Sequence, residues 1–94
     1  MTVVTWTQRA QQDLENILAH YLDEAGLQVA QSIYVRIHAQ VQSLQQFSQR
    51  TRIGRVAGTR ELIISRLPYI VVIQVKAEKV FVLNVVHTAR QYPA

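Results

Sequence analysis

The segment VVHTARQYP, residues 85–93, places His87, Arg90 and Tyr92 close behind an apolar run. Together these types can move protons and hold a phosphate. Cleavage of RNA by its own 2′-hydroxyl needs a base for the hydroxyl proton, an acid for the leaving oxygen and cations around the phosphate, with no metal or cofactor. An imidazole exchanges protons near neutrality, so His87 is the candidate proton carrier. The phenol of Tyr92 suits a donor, a hydroxyl positioner or a stacking platform. Arg60 is the candidate cation projecting from a strand, which completes a possible catalytic set of His87, Arg90, Tyr92 and Arg60. A histidine at a strand end more often serves structure alone and a tyrosine in a tail can simply pack on the core, so packing is the competing reading of both.

Other chemistries find less support. His20, His38 and His87 lack short ligand spacing and there is no cysteine, so no metal site is expected, and disulfides and thiolate nucleophiles are excluded. GRVAGTR, residues 54–60, has neither the lysine and hydroxyl residue of a phosphate loop nor dinucleotide spacing, and its glycines read as shaping a loop. Glu61 and Glu78 are the acids of the second half, too few for paired-carboxylate hydrolysis of sugars. No cofactor is implied.

The formal charge of +4 is unevenly spread. Residues 1–49 set Arg9 and Arg36 against Asp13, Glu15, Asp23 and Glu24, a net of −2, whereas residues 50–94 carry a net of +6. Eight of the ten basic residues are arginines, and Arg50, Arg52, Arg55, Arg60 and Arg66 fall together. The planar guanidinium suits phosphate or carboxylate. Arg50, Arg52, Arg55 and Arg66 are therefore candidates for binding a phosphate or an acidic partner, the alternative being a solvated basic face. The longest apolar run, LPYIVVI, is far short of the ~20 residues of a spanning helix, and MTVVTWTQRA lacks the pattern of a secretion signal. The expectation is a soluble cytoplasmic protein with no membrane partner.

The elements that must position these groups follow from periodicity. TVVTW, residues 2–6, reads as a short strand, and Thr7 can cap a helix with Ala10, Leu14, Ile17, Leu18, Tyr21 and Ala25 at helical spacing. Gly26 is a natural stop. Leu27, Ala30, Ile33, Tyr34, Ile37, Val41, Leu44 and Phe47 predict a second helix of about 20 residues, roughly 30 Å long. The short connection predicts an antiparallel helical hairpin.

Residues 48–58 read as a polar, basic loop. TRELIISRL, PYIVVIQV and KVFVLNVV then form three strands of an antiparallel meander, with residues 69–73 central. The fold class is α+β in the order β-α-α-β-β-β, a single domain over residues 1–94 with the hairpin packed on a small, mainly antiparallel sheet. Alternation puts Arg60 and Glu61 on opposite faces. It also gives Phe81, Leu83, Val85 and His87 one parity, leaving open whether His87 faces the helices or the open sheet.

Four stretches together carry a resemblance: RAQQDLENI with Arg9, Ala10, Asp13 and Leu14; GRVAGTREL at 54–62; PYIVV at 68–72; and VLNVVHTARQYP at 82–93. The chain resembles the RelE/ParE superfamily of toxins from bacterial type II toxin-antitoxin modules. The resemblance implies this α+β fold, a cognate antitoxin as tight partner, and growth inhibition by the free toxin. RelE-like members cut messenger RNA in the ribosome, and ParE-like members poison DNA gyrase by binding it.

The long hairpin, the end of the chain soon after the last strand and the absence of dense lysines place it nearer the ParE-like branch. Phe47-Ser48 departs from the Phe-Pro frequent in related sequences. Arg60 matches the arginine of the strand block, and His87, Arg90 and Tyr92 match the terminal motif, as a candidate functional surface. The primary expectation is a gyrase-binding toxin. Its alternatives are a metal-independent, ribosome-dependent endoribonuclease, with His87 as proton carrier and Arg60 and Arg90 as phosphate clamps, and an inactive antitoxin-binding or nucleic-acid-binding module. Whether the chain is an enzyme stays open at this point.

Overall fold

A computed structural model describes residues 2–47, 50–90 and 92–93. The chain runs β1 (Val3–Trp6), α1 (Gln8–Ala25), α2 (Leu27–Gln42), α3 (Leu44–Phe47), β2 (Arg52–Ile53), β3 (Arg60–Ile63), β4 (Tyr69–Lys76) and β5 (Lys79–His87). The α+β class and the hairpin on a mainly antiparallel sheet are as the sequence predicts. The five strands lie in the order β1-β5-β4-β3-β2, with β4 central. β1 joins β5 in parallel, pairing Val3 with Lys79 through Trp6 with Val82, while the other pairings are antiparallel.

Thr7 does more than start α1. Its Oγ1 accepts the Ala10 N–H at 3.2 Å, donates to the Val82 carbonyl at 2.7 Å, and its N–H reaches the same carbonyl at 3.0 Å. One residue thus satisfies an orphan helix donor and fixes the helix start to β5. Gly26, at φ +93° and ψ 171°, joins the helices in a conformation that suits glycine. Gly54 has another reason to lack a side chain. Its N–H donates to the Thr59 carbonyl at 2.9 Å, and Thr59 fills the space a Cβ would need.

The hairpin buries Ala10, Leu14, Ile33, Ile37 and Val41, with Leu44 of α3, against Leu62, Ile64, Val71, Ile73, Val80, Val82 and Val85 of the sheet. At about 1.5–3 kcal/mol for each large side chain removed from water, this layer supplies the main driving force of the fold. On the other face a smaller cluster joins Ile70, Val72 and Val86, with Leu83 and Tyr92 packed on it.

Three details differ from the periodic reading. The second helix breaks at Ser43, whose hydroxyl donates to the Gln40 carbonyl at 2.6 Å, so the expected rod becomes a 16-residue helix and a short α3. The segment read as a loop contains β2, where Arg52 and Ile53 pair with Glu61 and Arg60. The third concerns β5, whose register against β4 shifts between Val72 and Ile73, from Val72↔Asn84 to Ile73↔Val82. Leu83 is the extra residue, and this bulge reverses the parity of β5. Val80 and Val82 face the helices before it, and Val85 and His87 after it. Ser48, and with it the Phe47-Ser48 departure, lies outside the described residues.

Candidate functional site

His87 faces the helix layer, at the open end of the sheet beside α1. Here Asp13, Asn16, Ile17, His20 and Tyr21 from α1, Tyr69 of β4, Val85 and His87 of β5, and Ala89 and Arg90 of the following turn enclose a cleft of about 570 Å³. His87 and Tyr69 are direct strand partners, and their rings meet edge to face, 5.3 Å apart at 87°. His20 and Tyr21 make a similar contact at 5.4 Å and 76°. The buried Tyr69 hydroxyl donates to that of Tyr21 at 3.4 Å, long for such a pair. Burial first, and this bond second, raise the Tyr69 phenol well above its ordinary value, so it stays a neutral donor.

Asp13 explains how α1 holds this end of the sheet. β1 ends at Trp6, opposite Val82, so the edge of β5 beyond it lacks a strand partner. Asp13 Oδ2 accepts the Val85 N–H there at 3.0 Å, while Oδ1 receives the Arg9 guanidinium at 3.3 Å. The carboxylate is spoken for on both oxygens. The turn after β5 is also fixed, with Thr88 N–H donating to the Pro68 carbonyl at 2.8 Å and Arg90 N–H to that of His87 at 3.0 Å.

His87 Nδ1 accepts the Ala89 N–H at 3.0 Å. In the neutral ring an accepting Nδ1 leaves the proton on Nε2. The ring nitrogen left for a ligand is therefore a donor. To take a proton there, His87 would first have to give up its bond to Ala89.

A second cluster lies on the opposite face of the sheet. Glu61, 1% exposed, receives Arg52 Nη2 at 2.9 Å and Arg52 Nε at 3.1 Å on one oxygen, and the Arg55 N–H at 3.0 Å on the other. The Arg55 guanidinium approaches at 3.8 Å and donates to the Tyr92 carbonyl at 3.3 Å. Burial alone would push the Glu61 carboxyl up. The Arg55 N–H, the Arg52 hydrogen bonds and both guanidinium charges outweigh burial and hold it below the ordinary range. Tyr92 is shifted up by burial and then by the Glu61 charge, against the Arg55 charge.

The residues singled out in the sequence thus fall in different places. His87 and Arg90 share the cleft. Tyr92 packs on the far face beside Leu83, Ile70, Val72 and Val86. Arg60 is turned onto its own chain, with Nε donating to Thr51 Oγ1 and Nη2 to the Thr51 carbonyl, both at 2.7 Å. Arg52 and Arg55 are engaged by Glu61. Arg66 occupies the β3–β4 turn at φ +66°, and Arg50 stands exposed ahead of β2. Sequence reasoning missed Asp13, His20, Tyr21 and Tyr69 as walls of the cleft, and Glu61 as a buried anchor. A glutamate amid arginines was the available signal for the last. The tyrosines gave none beyond their place in apolar patterns.

The outer side of the hairpin forms a third feature. Leu18, Ala19, Leu22, Leu27, Ala30, Gln31, Tyr34 and Val35 line a mainly apolar groove of about 560 Å³ between the helices. Leu22 is 51% exposed, and Leu27 and Val35 are each 62% exposed. Large apolar side chains grouped in this way are the kind of surface on which a protein or ligand docks.

A helical hairpin with an open apolar groove, packed on a five-stranded mixed sheet, defines a small α+β protein. Residues 4–92 match the family model described as the ParE toxin of the type II toxin-antitoxin system, parDE, and the chain belongs to this family. A Sinorhizobium fredii protein named "Putative toxin Y4kP" is 32% identical over 90 residues, covering 96% of this chain and 92% of the relative. Among solved structures, a chain from the "Chromosomal ParDE TA system from P. aeruginosa" superposes with a TM-score of 0.86 at 30% identity. That match covers 93% of this chain and 96% of the other.

Proposed function

We propose that this ParE-type toxin arrests bacterial growth by binding and poisoning DNA gyrase in the cytoplasm, and that a cognate antitoxin neutralises it. The observation that carries the choice of a binding mechanism is the separation of the candidate catalytic groups. Tyr92 and Arg60 lie apart from His87 and Arg90, and His87 offers a donor where a general base is needed. The antitoxin contributes an amphipathic, partly acidic segment. Its apolar side fills the hairpin groove and its acids meet the basic second half, as disordered acidic segments do when they fold on a partner.

Expression without antitoxin should arrest growth, with gyrase-dependent DNA damage and intact messenger RNA scored in the same cells. Purified protein that leaves gyrase supercoiling untouched and causes no such damage overturns the reading. The sharing of one cleft by His87 and Arg90 favours the ribosome-dependent endoribonuclease as the second reading. It predicts messenger RNA cleavage that His87→Ala and Arg90→Ala abolish while stability stays normal; toxicity unchanged in both variants removes it.

A further inference from the structure

The cleft between α1 and the end of β5 has a chemical character of its own. The guanidiniums of Arg9, Arg52, Arg55 and Arg60 are each occupied by a carboxylate or by Thr51. Arg90 lines the cleft, and its guanidinium makes no hydrogen bond or ion pair among the described residues. Beside it stands His87, whose Nδ1 is held by the Ala89 N–H, so that the neutral ring presents Nε2–H. Tyr69 and Tyr21 add hydroxyl groups deeper in, and the imidazole of His20 lies against Tyr21. Asp13 is the one carboxylate on the wall, and its oxygens are taken by Arg9 and by the Val85 N–H. What remains open is the Arg90 guanidinium, His87 Nε2–H and the Tyr21 hydroxyl, since that of Tyr69 is donated to Tyr21.

A volume of about 570 Å³ lies within the roughly 300–1,000 Å³ range of small-ligand sites. The walls also carry aromatic rings at which a flat heterocycle can stack. Donors around a cation call for an anion, and aromatic walls call for a ring attached to it.

We propose that this cleft binds a nucleoside monophosphate, with the phosphate on Arg90 and His87 Nε2–H and the base against His20 and Tyr21. The phosphate belongs to a free mononucleotide or to the phosphorylated end of a nucleic acid, two sources that share this chemistry. The site is for binding, not cleavage, because His87 supplies a hydrogen bond instead of taking a proton. It is independent of the gyrase reading, which concerns the target of the toxin.

Titration of the full chain with adenosine monophosphate, adenosine and inorganic phosphate, followed by calorimetry and by the NMR resonances of His20, Tyr21, Tyr69 and His87, tests the site. The monophosphate should shift these four residues and bind at least about tenfold more tightly than adenosine, the effect of one charge-assisted contact. Arg90→Ala should weaken it by at least about tenfold, whereas Lys76→Ala, at the other end of β4, should leave it unchanged. His87→Gln, which keeps an N–H donor, should retain more affinity than His87→Ala. A 5′-phosphorylated tetranucleotide that binds more tightly than the free nucleotide identifies a nucleic-acid end as the source, and the reverse order identifies the mononucleotide. Shifts confined to the Arg50–Arg55 segment, or equal losses in Arg90→Ala and Lys76→Ala, overturn the proposal. Failure of the gyrase assay leaves these outcomes unaffected.

Discussion

Glu61 is the residue on which the far face of the sheet depends. Its carboxylate side chain is fully buried, while Arg52 and Arg55 remain 51% and 45% exposed, so the three are not equivalent. Removing Arg52 leaves a buried anion short of two hydrogen bonds; removing Glu61 leaves two cations that water can solvate. Arg52→Ala should therefore cost about 1–3 kcal/mol in denaturant unfolding, more than Glu61→Gln. The pH dependence has a fixed sign. The folded carboxyl lies below its ordinary value of 4.5, so its contribution is complete above that value and is lost as pH falls through the lower folded value. Melting temperature should drop as pH is lowered below about 4.5, with Glu61→Gln flattening that slope. An equal slope in wild type and variant removes Glu61 as its source. RTRIGRVAGTREL offered only a glutamate amid arginines as a signal, because the partners meet only once β2 forms, and two residues of strand carry no periodic pattern. Alternation did foresee that Arg60 and Glu61 point apart.

At the scale of elements, the well-read features are those set by local chemistry. Thr7 caps, Gly26 stops, and the i, i+3, i+4 stripe from Ala10 to Tyr21 buries one face of α1. Of the misread ones, β2 and the bulge depend on partners in other strands, while the break at Ser43 is local. The Leu83 bulge is decided by register against β4, and it turns a run of one parity into two, which is why the facing of His87 was open in the sequence. Ser43 could equally have continued the helix; its hydroxyl bond to Gln40 shows where the turn tightens. Two variants test the joints between elements. Gly26→Ala meets no atom within 4 Å, so its cost is conformational, about 1–3 kcal/mol for a β-carbon at positive φ. A value near zero in chemical denaturation counts against that backbone geometry. Asp13→Ala strands the Val85 N–H at the uncovered edge of β5, at about 1–3 kcal/mol, whereas Asp13→Asn keeps an acceptor and should lose less. Amide hydrogen exchange at Val85 separates the two, with faster exchange expected in the alanine variant.

The whole molecule divides its charge and its apolar surface between different parts. The half that supplies the hairpin groove has a net charge of −2, and the half that supplies most of the sheet has +6. A partner that seats apolar residues in the groove and continues toward the sheet meets repulsion if it is acidic at first and attraction later. On the proposed reading, the antitoxin segment is apolar where it meets α1 and α2 and acidic where it reaches the basic second half. Salt and mutation should act on different steps. Raising ionic strength should slow association, because screening weakens steering between complementary patches. Leu22→Asp and Val35→Asp should instead speed dissociation. Each places a charge among side chains that the partner covers, with a loss of about 1.5–3 kcal/mol, roughly tenfold to a hundredfold in affinity. Both positions are more than half exposed in the free chain, so the variants should fold normally and keep the toxin active. The expected phenotype is a toxin that its antitoxin no longer neutralises. Wild-type dissociation rates in both variants would move the antitoxin off the hairpin groove and leave the basic half as its principal seat.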